Sequence, residues 1–153
     1  MTTDVIIRGC MFPLRLHYDV PNHMWYEALD GGLVRCGMTA VAPSLADNRI
    51  FAFTPKRVGR DLEAGKACAT IESSKWVGPA RIAFDGVVVE VNEALIDRPS
   101  LLVEAPYDAG WMLVARPAHA DVLGAMVTGA GIERAYGAWM DAQDFPGCSG
   151  PGR

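Results

Sequence analysis

Apolar positions along the chain recur mostly with the period of two that marks half-buried strands, and the period lengthens to that of a helix only near the C-terminus. Residues 1–21 show no clear period and end at Val20-Pro21, where proline holds the preceding residue extended, so they are expected to form a lead-in segment. Asn22 to Leu29 reads as a strand, Asp30-Gly31-Gly32 as a turn and Leu33 to Met38 as its returning partner. Thr39 stands where it would cap a short helix over residues 40–46, and Asp47-Asn48 ends that helix. Arg49 to Thr54 alternates as a strand with Ile50 or Phe51 facing inward, and Asp61 to Gly65 turns the chain into a further strand over Lys66 to Ile71.

Gly78-Pro79 breaks the pattern, after which Arg81–Phe84, Asp85-Gly86 and Val87–Asn92 read as strand, turn and strand. Pro99 starts a helical turn through Val103, and Gly110 to Arg116 is expected to be the last strand. Beyond Ala118, Ile132, Ala135, Tyr136, Trp139 and Met140 fall on one helical face that should pack on the strands, while Gly129-Ala130-Gly131 divides residues 118–143 into two helices. Residues 144–153, rich in glycine and proline, are expected to be a flexible tail. Many short strands between Gly, Pro and Asp turns, followed by helices, predict a mainly β fold: an antiparallel sandwich or flattened barrel with an α tail.

One polar interruption stands out, Thr70-Ile71-Glu72-Ser73-Ser74-Lys75-Trp76-Val77. Strand-like runs on both sides place Lys75 at a hairpin tip, and the small Ser73 and Ser74 leave its amine open to an enzyme that must grip the loop. Only three lysines occur, Lys56, Lys66 and Lys75. Read locally, a lysine in a turn is most often a solvated side chain, so the tip alone does not name a function.

Composition narrows the alternatives. The chain has 153 residues with a net charge of −4, half of them apolar, which suits one compact domain with a real core. Without a basic stripe there is no electrostatic footprint for nucleic acid. The apolar run Val5-Ile6-Ile7 is too short for a signal peptide or a membrane span, which places the protein in the cytoplasm and away from membranes. In that reducing setting Cys10, Cys36, Cys68 and Cys148 are not read as a disulfide framework, and with His17, His23 and His119 they lack metal-ligand spacing. Cys36 and Cys68 read as buried hydrophobes, whereas Cys10 and Cys148 lie in Gly-rich terminal settings where a reactive thiol can be reached, or else be buried at the domain edge. Gly59 to Ala67 imitates a phosphate-binding loop but has one residue too many between its glycines and no magnesium-binding hydroxyl. Gly129-Ala130-Gly131 lacks the strand and third glycine of a dinucleotide site, and no serine sits in a nucleophile elbow. No self-contained active site is legible.

Several motifs in register then carry a resemblance. His23-Met24-Trp25, Gly37-Met38-Thr39, Val58-Gly59 with Glu63-Ala64-Gly65, Glu72-Ser73-Ser74-Lys75, Gly86, Val91-Asn92-Glu93-Ala94-Leu95, Pro106-Tyr107 and Gly110-Trp111-Met112 together resemble the H protein of the glycine cleavage system. That family is a small lipoyl carrier whose fold is a barrel-sandwich hybrid. The resemblance implies a lipoyl-type domain over residues 22–117, lipoate in amide linkage on Lys75, and Glu72 as a mark recognised by the lipoylating enzyme. Ser73, Ser74, Trp76, Lys56 and Arg57 would then lie near the arm.

The chain also departs from that family around the tip. Trp76 replaces its alanine, and Pro55-Lys56-Arg57 is basic where the family is acidic. Arg8-Gly9-Cys10, Phe53 to Arg60, Ser74 to Arg81 and Asp144 to Cys148 are similar to the H-like lipoate-binding proteins of the heterodisulfide reductase-like sulfur-oxidation system. This second resemblance implies a carrier, not an enzyme, that shuttles sulfur intermediates and electrons. Its partners would be a heterodisulfide reductase-like complex, sulfur-transfer proteins, lipoate ligase or other lipoate-assembly enzymes, and dihydrolipoamide dehydrogenase. The alternative is a glycine cleavage H protein carrying an aminomethyl group. A biotin carrier is disfavoured because Lys75 lacks flanking methionines.

Overall fold

The structure, a computed structural model, describes residues 3–148. In chain order the elements are β1 (Asp4–Ile7), β2 (Cys10–Pro13), β3 (His17–Asp19), β4 (Met24–Ala28), β5 (Val34–Met38), α1 (Val41–Ser44), β6 (Ile50–Pro55), β7 (Asp61–Leu62) and β8 (Ala67–Ser73). There follow β9 (Val77–Arg81), β10 (Gly86–Val91), α2 (Glu93–Asp97), α3 (Leu101–Glu104), β11 (Leu113–Pro117), β12 (Val127–Thr128) and α4 (Gly131–Ala142). A seven-stranded sheet runs β12-β3-β4-β5-β11-β10-β7, a three-stranded sheet runs β6-β8-β9, and β1-β2 stands as a separate hairpin. The strand pairings are antiparallel. The mainly β sandwich with short helices and a C-terminal helix is the expected class.

β4 holds the architecture together because both of its faces are buried. Successive side chains of a strand point to opposite sides. Met24 and Tyr26 accordingly enter a core shared by the two large sheets, with Cys36, Phe53, Cys68, Ile71, Ile82, Val88 and Leu113. Trp25, between them, enters a second core with Phe12, Tyr18, Val41, Tyr107, Ile132, Tyr136 and Met140. The indole N–H of Trp25 donates to Pro106 O at 2.9 Å. Its ring lies against Gly37, where a Cβ would come within 2.7 Å of it. The apolar stripe on α4 thus packs on the second core, against the terminal hairpin and β3, rather than directly on the sandwich interior.

Several expectations are corrected. The patternless start is built into the fold: β1 and β2 form a hairpin and β3 pairs with β4. Arg8 and Gly9 turn that hairpin with positive φ, a geometry that the apolar period does not reveal. Thr39 does not cap α1; its hydroxyl lies 3.3 Å from that of Tyr136. Phe51 is exposed, because a register shift between Ile50 and Ala52 lets Ile50 and Phe53 both face inward. β9 continues through Gly78-Pro79. Asp85-Gly86 is not a hairpin turn either, since β9 pairs with β8 while β10 pairs with β11 and β7; the chain changes sheets there. Of the two helices expected in residues 118–143, only α4 forms; residues 118–126 are bends and turns that lead into β12.

The C-terminal segment up to residue 148 is packed, with Phe145 and Cys148 buried; residues 149–153 of the expected flexible tail lie outside the described residues. The Arg8 guanidinium donates to Phe145 O at 2.6 Å and pairs with Asp141. Cys10 and Cys148 are not reactive thiols: they are joined in a disulfide, both buried, 138 residues apart in sequence. In the chain-entropy picture, closing so long a loop is worth about 4–5 kcal/mol. The expectation of a reducing setting excludes this pairing, which the folded hairpin and the segment after α4 create by bringing the two cysteines together. Cys36 and Cys68 are free and buried, as expected of small core residues.

Gly37→Ala should destabilise the protein by about 1–3 kcal/mol, because the new methyl meets the Trp25 ring and two β-strands fix both partners; urea unfolding measures it. His23 provides a pH test. Its backbone has φ +55°, its Nδ1 lies 3.4 Å from the Tyr136 hydroxyl and its ring packs edge-on against Trp139. Burial lowers its pKa from 6.5 to about 4. The unfolded chain therefore takes up a proton near pH 6.5 that the folded chain refuses until about pH 4, so this group's stabilisation is complete above pH 6.5 and is lost as pH falls through that window. His23→Asn, which tolerates the left-handed backbone, should show a shallower loss of stability over the same range.

Candidate functional site

Lys75 occupies the tip of the β8–β9 hairpin, whose last paired residues are Glu72 and Val77. The turn is organised by the two serines before it. The Ser73 hydroxyl accepts the Trp76 N–H at 3.0 Å and the Lys75 N–H at 3.3 Å, and it donates to Trp76 O at 2.9 Å. Ser74 ties the tip to the neighbouring loop after α1: its N–H donates to Arg49 O at 3.1 Å and its hydroxyl to Ala46 O at 3.3 Å. Residues expected only to leave room for an approaching enzyme are therefore the scaffold of the turn.

The lysine side chain is 54% exposed, and its amine pairs with Asp47 at 3.1 Å, a carboxylate itself 61% exposed. Such a surface pair is worth at most about 1 kcal/mol, so it steers the amine without sequestering it. Asp47 is a site residue that sequence reading missed. In sequence it only ends a helix; in the structure Asp47 and Asn48 take left-handed backbone angles that fold the loop beside the tip. Its role depends on α1 and β6 being assembled next to the hairpin, which no local spacing encodes.

Glu72 is exposed on β8, one residue before the turn, opposite Ala52 of β6 and Val77 of β9. It has no ion-pair partner among the described residues. Val77 is 66% exposed and Phe51 64% exposed, so large apolar side chains also stand free close to the tip. Trp76 is half-buried, packed on the main core and over Gly78, where a Cβ would lie 3.5 Å from the ring. Its indole anchors one side of the tip while Lys75 stays free on the other.

Lys56 and Arg57 do not adjoin the lysine. The Ser73 end of β8 pairs with Ile50, whereas Lys56 follows the opposite end of β6, with its N–H on Cys68 O at 2.9 Å. The Lys56 amine donates to Asp61 O at 3.3 Å, and both basic residues line a separate groove with Phe53, Val58, Val91 and Ile96. The family resemblance implies a place near the arm for them, but the direction of β6 carries them away. Cys10 and Cys148 are likewise absent from the tip. No three His, Cys, Asp or Glu side chains among the described residues cluster as a metal site.

The arrangement offers a surface amine on a rigid turn, open to solvent and held by one exchangeable ion pair. An amine presented in this way suits covalent attachment and presentation. Ser73→Ala removes the acceptor for two tip amides and should cost about 1 kcal/mol. Hydrogen exchange at Lys75 and Trp76 should speed up while exchange in β10 and β11 stays unchanged.

Residues 16–136 match the sequence model of the family described as Glycine cleavage H-protein. Among curated proteins, glycine cleavage system H protein 5 of Aquifex aeolicus (strain VF5) is 44% identical over 117 residues, 74% of this chain and 78% of that protein. Glycine cleavage system H protein 2 of the same organism is 38% identical over 112 residues, 73% of this chain and 69% of that protein. A crystal structure of a glycine cleavage system H protein from Mycobacterium marinum superposes with a TM-score of 0.71 at 29% identity, covering 83% of this chain and 99% of that one. The family match spans strands of both sheets, the Lys75 hairpin and most of the distance to the end of α4, and on it the chain belongs to the glycine cleavage H-protein family.

Proposed function

We propose that this chain is a lipoyl carrier with Lys75 as the attachment point. Proteins of its family carry lipoate covalently on a lysine and serve partner enzymes. The observation that carries the assignment is the exposure of the Lys75 amine at a hairpin tip, within Glu72-Ser73-Ser74-Lys75, with a single solvent-exposed ion pair to Asp47. The site fits the group: nothing in the tip must move for the amine to be acylated. When attached, lipoate supplies a dithiolane that cycles between disulfide and dithiol and takes up cargo.

The chain's own residues present that arm. Ser73 and Ser74 hold its base against β8, β9 and the loop after α1. Acylation removes the lysine's charge, so the Asp47 pair guides the free amine and lets go once the amide forms. Glu72, unpaired and exposed beside the turn, is the recognition mark for the attaching enzyme. Tethering keeps the arm at high local concentration for each docked partner.

For cargo, the relatives support an aminomethyl group in glycine cleavage, with the enzymes of that system, dihydrolipoamide dehydrogenase among them, as partners. A second reading, sulfur transfer with a heterodisulfide reductase-like complex, draws on Trp76 at the tip and the basic Pro55-Lys56-Arg57 segment. It also draws on the H proteins numbered 5 and 2 of Aquifex aeolicus, two members of one family in a single organism. The absence of a helix long and apolar enough to cross a membrane, among the described residues, is compatible with either reading.

Lys75→Arg keeps the positive charge and the reach to Asp47 but cannot form the amide. Intact-mass measurement after expression with lipoate-assembly enzymes should show a lipoyl adduct on the natural chain and on Lys66→Arg, and none on Lys75→Arg. An adduct on the Lys75→Arg variant would sink the assignment. With the modified carrier in hand, exchange of glycine carboxyl with bicarbonate in the presence of glycine decarboxylase tests the cargo: exchange supports the aminomethyl reading, and its absence counts against it.

A further inference from the structure

The disulfide between Cys10 and Cys148 joins two residues that lie outside the stretch matched by the family, one on each side of it. It closes a clamp made of the segments on either side of that matched stretch. Cys10 opens β2, and Cys148 lies beyond α4, where its N–H donates to Arg8 O at 3.0 Å. Arg8 in turn holds Phe145 O and Asp141. Gly147 sits so close to Arg8 that a Cβ there would meet Arg8 O at 2.3 Å.

The clamp bears on the segment that supports the lysine. Cys148 Sγ lies 3.6 Å from Ala40 O, and Cys10, Cys148, Ala40 and Val41 share the second core. From Ala40 the chain runs through α1 into a continuous series of tight turns: Leu45 N–H to Val41 O, Ala46 N–H to Pro43 O, Asp47 N–H to Ser44 O and Arg49 N–H to Ala46 O. That segment ends in the three groups that touch the tip: Ala46 O and Arg49 O on Ser74, and the Asp47 carboxylate on Lys75. A short run of packed, hydrogen-bonded backbone thus connects the disulfide to the lysine.

We propose that the Cys10–Cys148 disulfide is a redox latch on the Lys75 tip: closed, it seats residues 40–49 against the hairpin; reduced, it releases them and leaves the lysine less restrained. The functional meaning rests on Lys75 being the lipoyl site, but the coupling does not. In the switching step a dithiol donor transfers two electrons and two protons to the disulfide. The S–S bond breaks to two thiols and the donor leaves as its own disulfide. Cys10 is held in the β1–β2 ladder, whereas Cys148 lies on the irregular segment after α4, so Cys148 is the end that moves. Once it is reduced, the segment around it is held by the Arg8 contacts and the packing of Phe145, so local opening needs no unfolding of the sandwich.

The test compares the oxidised, unlipoylated protein with the same folded sample treated with dithiothreitol, and reads two quantities. Reduction should raise hydrogen exchange at residues 42–49 and at the Ser74 amide by about tenfold or more, with β10 and β11 amides unchanged. Acetylation of Lys75 by an N-hydroxysuccinimide ester should speed up severalfold relative to Lys66 in the same sample. Asp47→Asn in the oxidised protein should reproduce the faster acetylation without the change in exchange at residues 42–46. The proposal is overturned if reduction speeds exchange only in residues 4–14 and 131–148 and leaves the tip unchanged, or if the disulfide resists reduction until the sandwich unfolds. Since the ester modifies any accessible amine, these outcomes are independent of whether lipoate is ever attached.

Discussion

The burial of β4 on both faces is the constraint on which the rest of the molecule depends. A strand at the surface of a sandwich has one dry side, but Met24 and Tyr26 face the main core while Trp25 faces a second one built by the terminal hairpin and α4. The pleat of a single strand therefore couples two hydrophobic clusters that are otherwise made from different parts of the chain. Close contact between Trp25 and Gly37 sets β4 and β5 side by side, and the indole bond to Pro106 O draws in the loop after α3. On that frame the three-stranded sheet can extend its hairpin outward without losing its own packing.

At the end of that hairpin the physical requirements reverse. The proposed attachment point must be rigid in its backbone and free in its side chain. Ser73 and Ser74 supply the first condition by satisfying the turn's own amides and by bonding to carbonyls of the loop after α1. Solvent supplies the second, since the Lys75–Asp47 pair is exposed and correspondingly weak. Trp76 turns the other way and rests on the core, so neighbouring residues divide the work of anchoring and presenting.

The two chain ends are integral to this arrangement. Arg8, the disulfide and Phe145 form one closed unit against α1, and α1 leads directly to the carbonyls and carboxylate at the tip. Segments outside the family's matched region thus reach the proposed attachment lysine through contacts of short range.

Much of the molecule was legible in the sequence. The strand-like runs over residues 22–29, 33–38 and 66–71, the turn residues between strands and the helical stripe of Ile132, Tyr136 and Met140 identified strands, a hairpin tip and a packed helix, because composition and periodicity are local signals. The in-register motifs around Glu72 and Lys75 named the carrier family for the same reason that they identified the tip. What the sequence did not determine were contacts between segments distant in the chain: the strands in residues 4–21, the switch of sheets at Asp85-Gly86, the removal of Lys56 and Arg57 from the lysine, Asp47 at its side and the pairing of Cys10 with Cys148. Each of these depends on which strand neighbours which and in what direction it runs. Such neighbours are chosen by the joint burial of many side chains, a property of the assembled sheets that no single stretch of sequence contains.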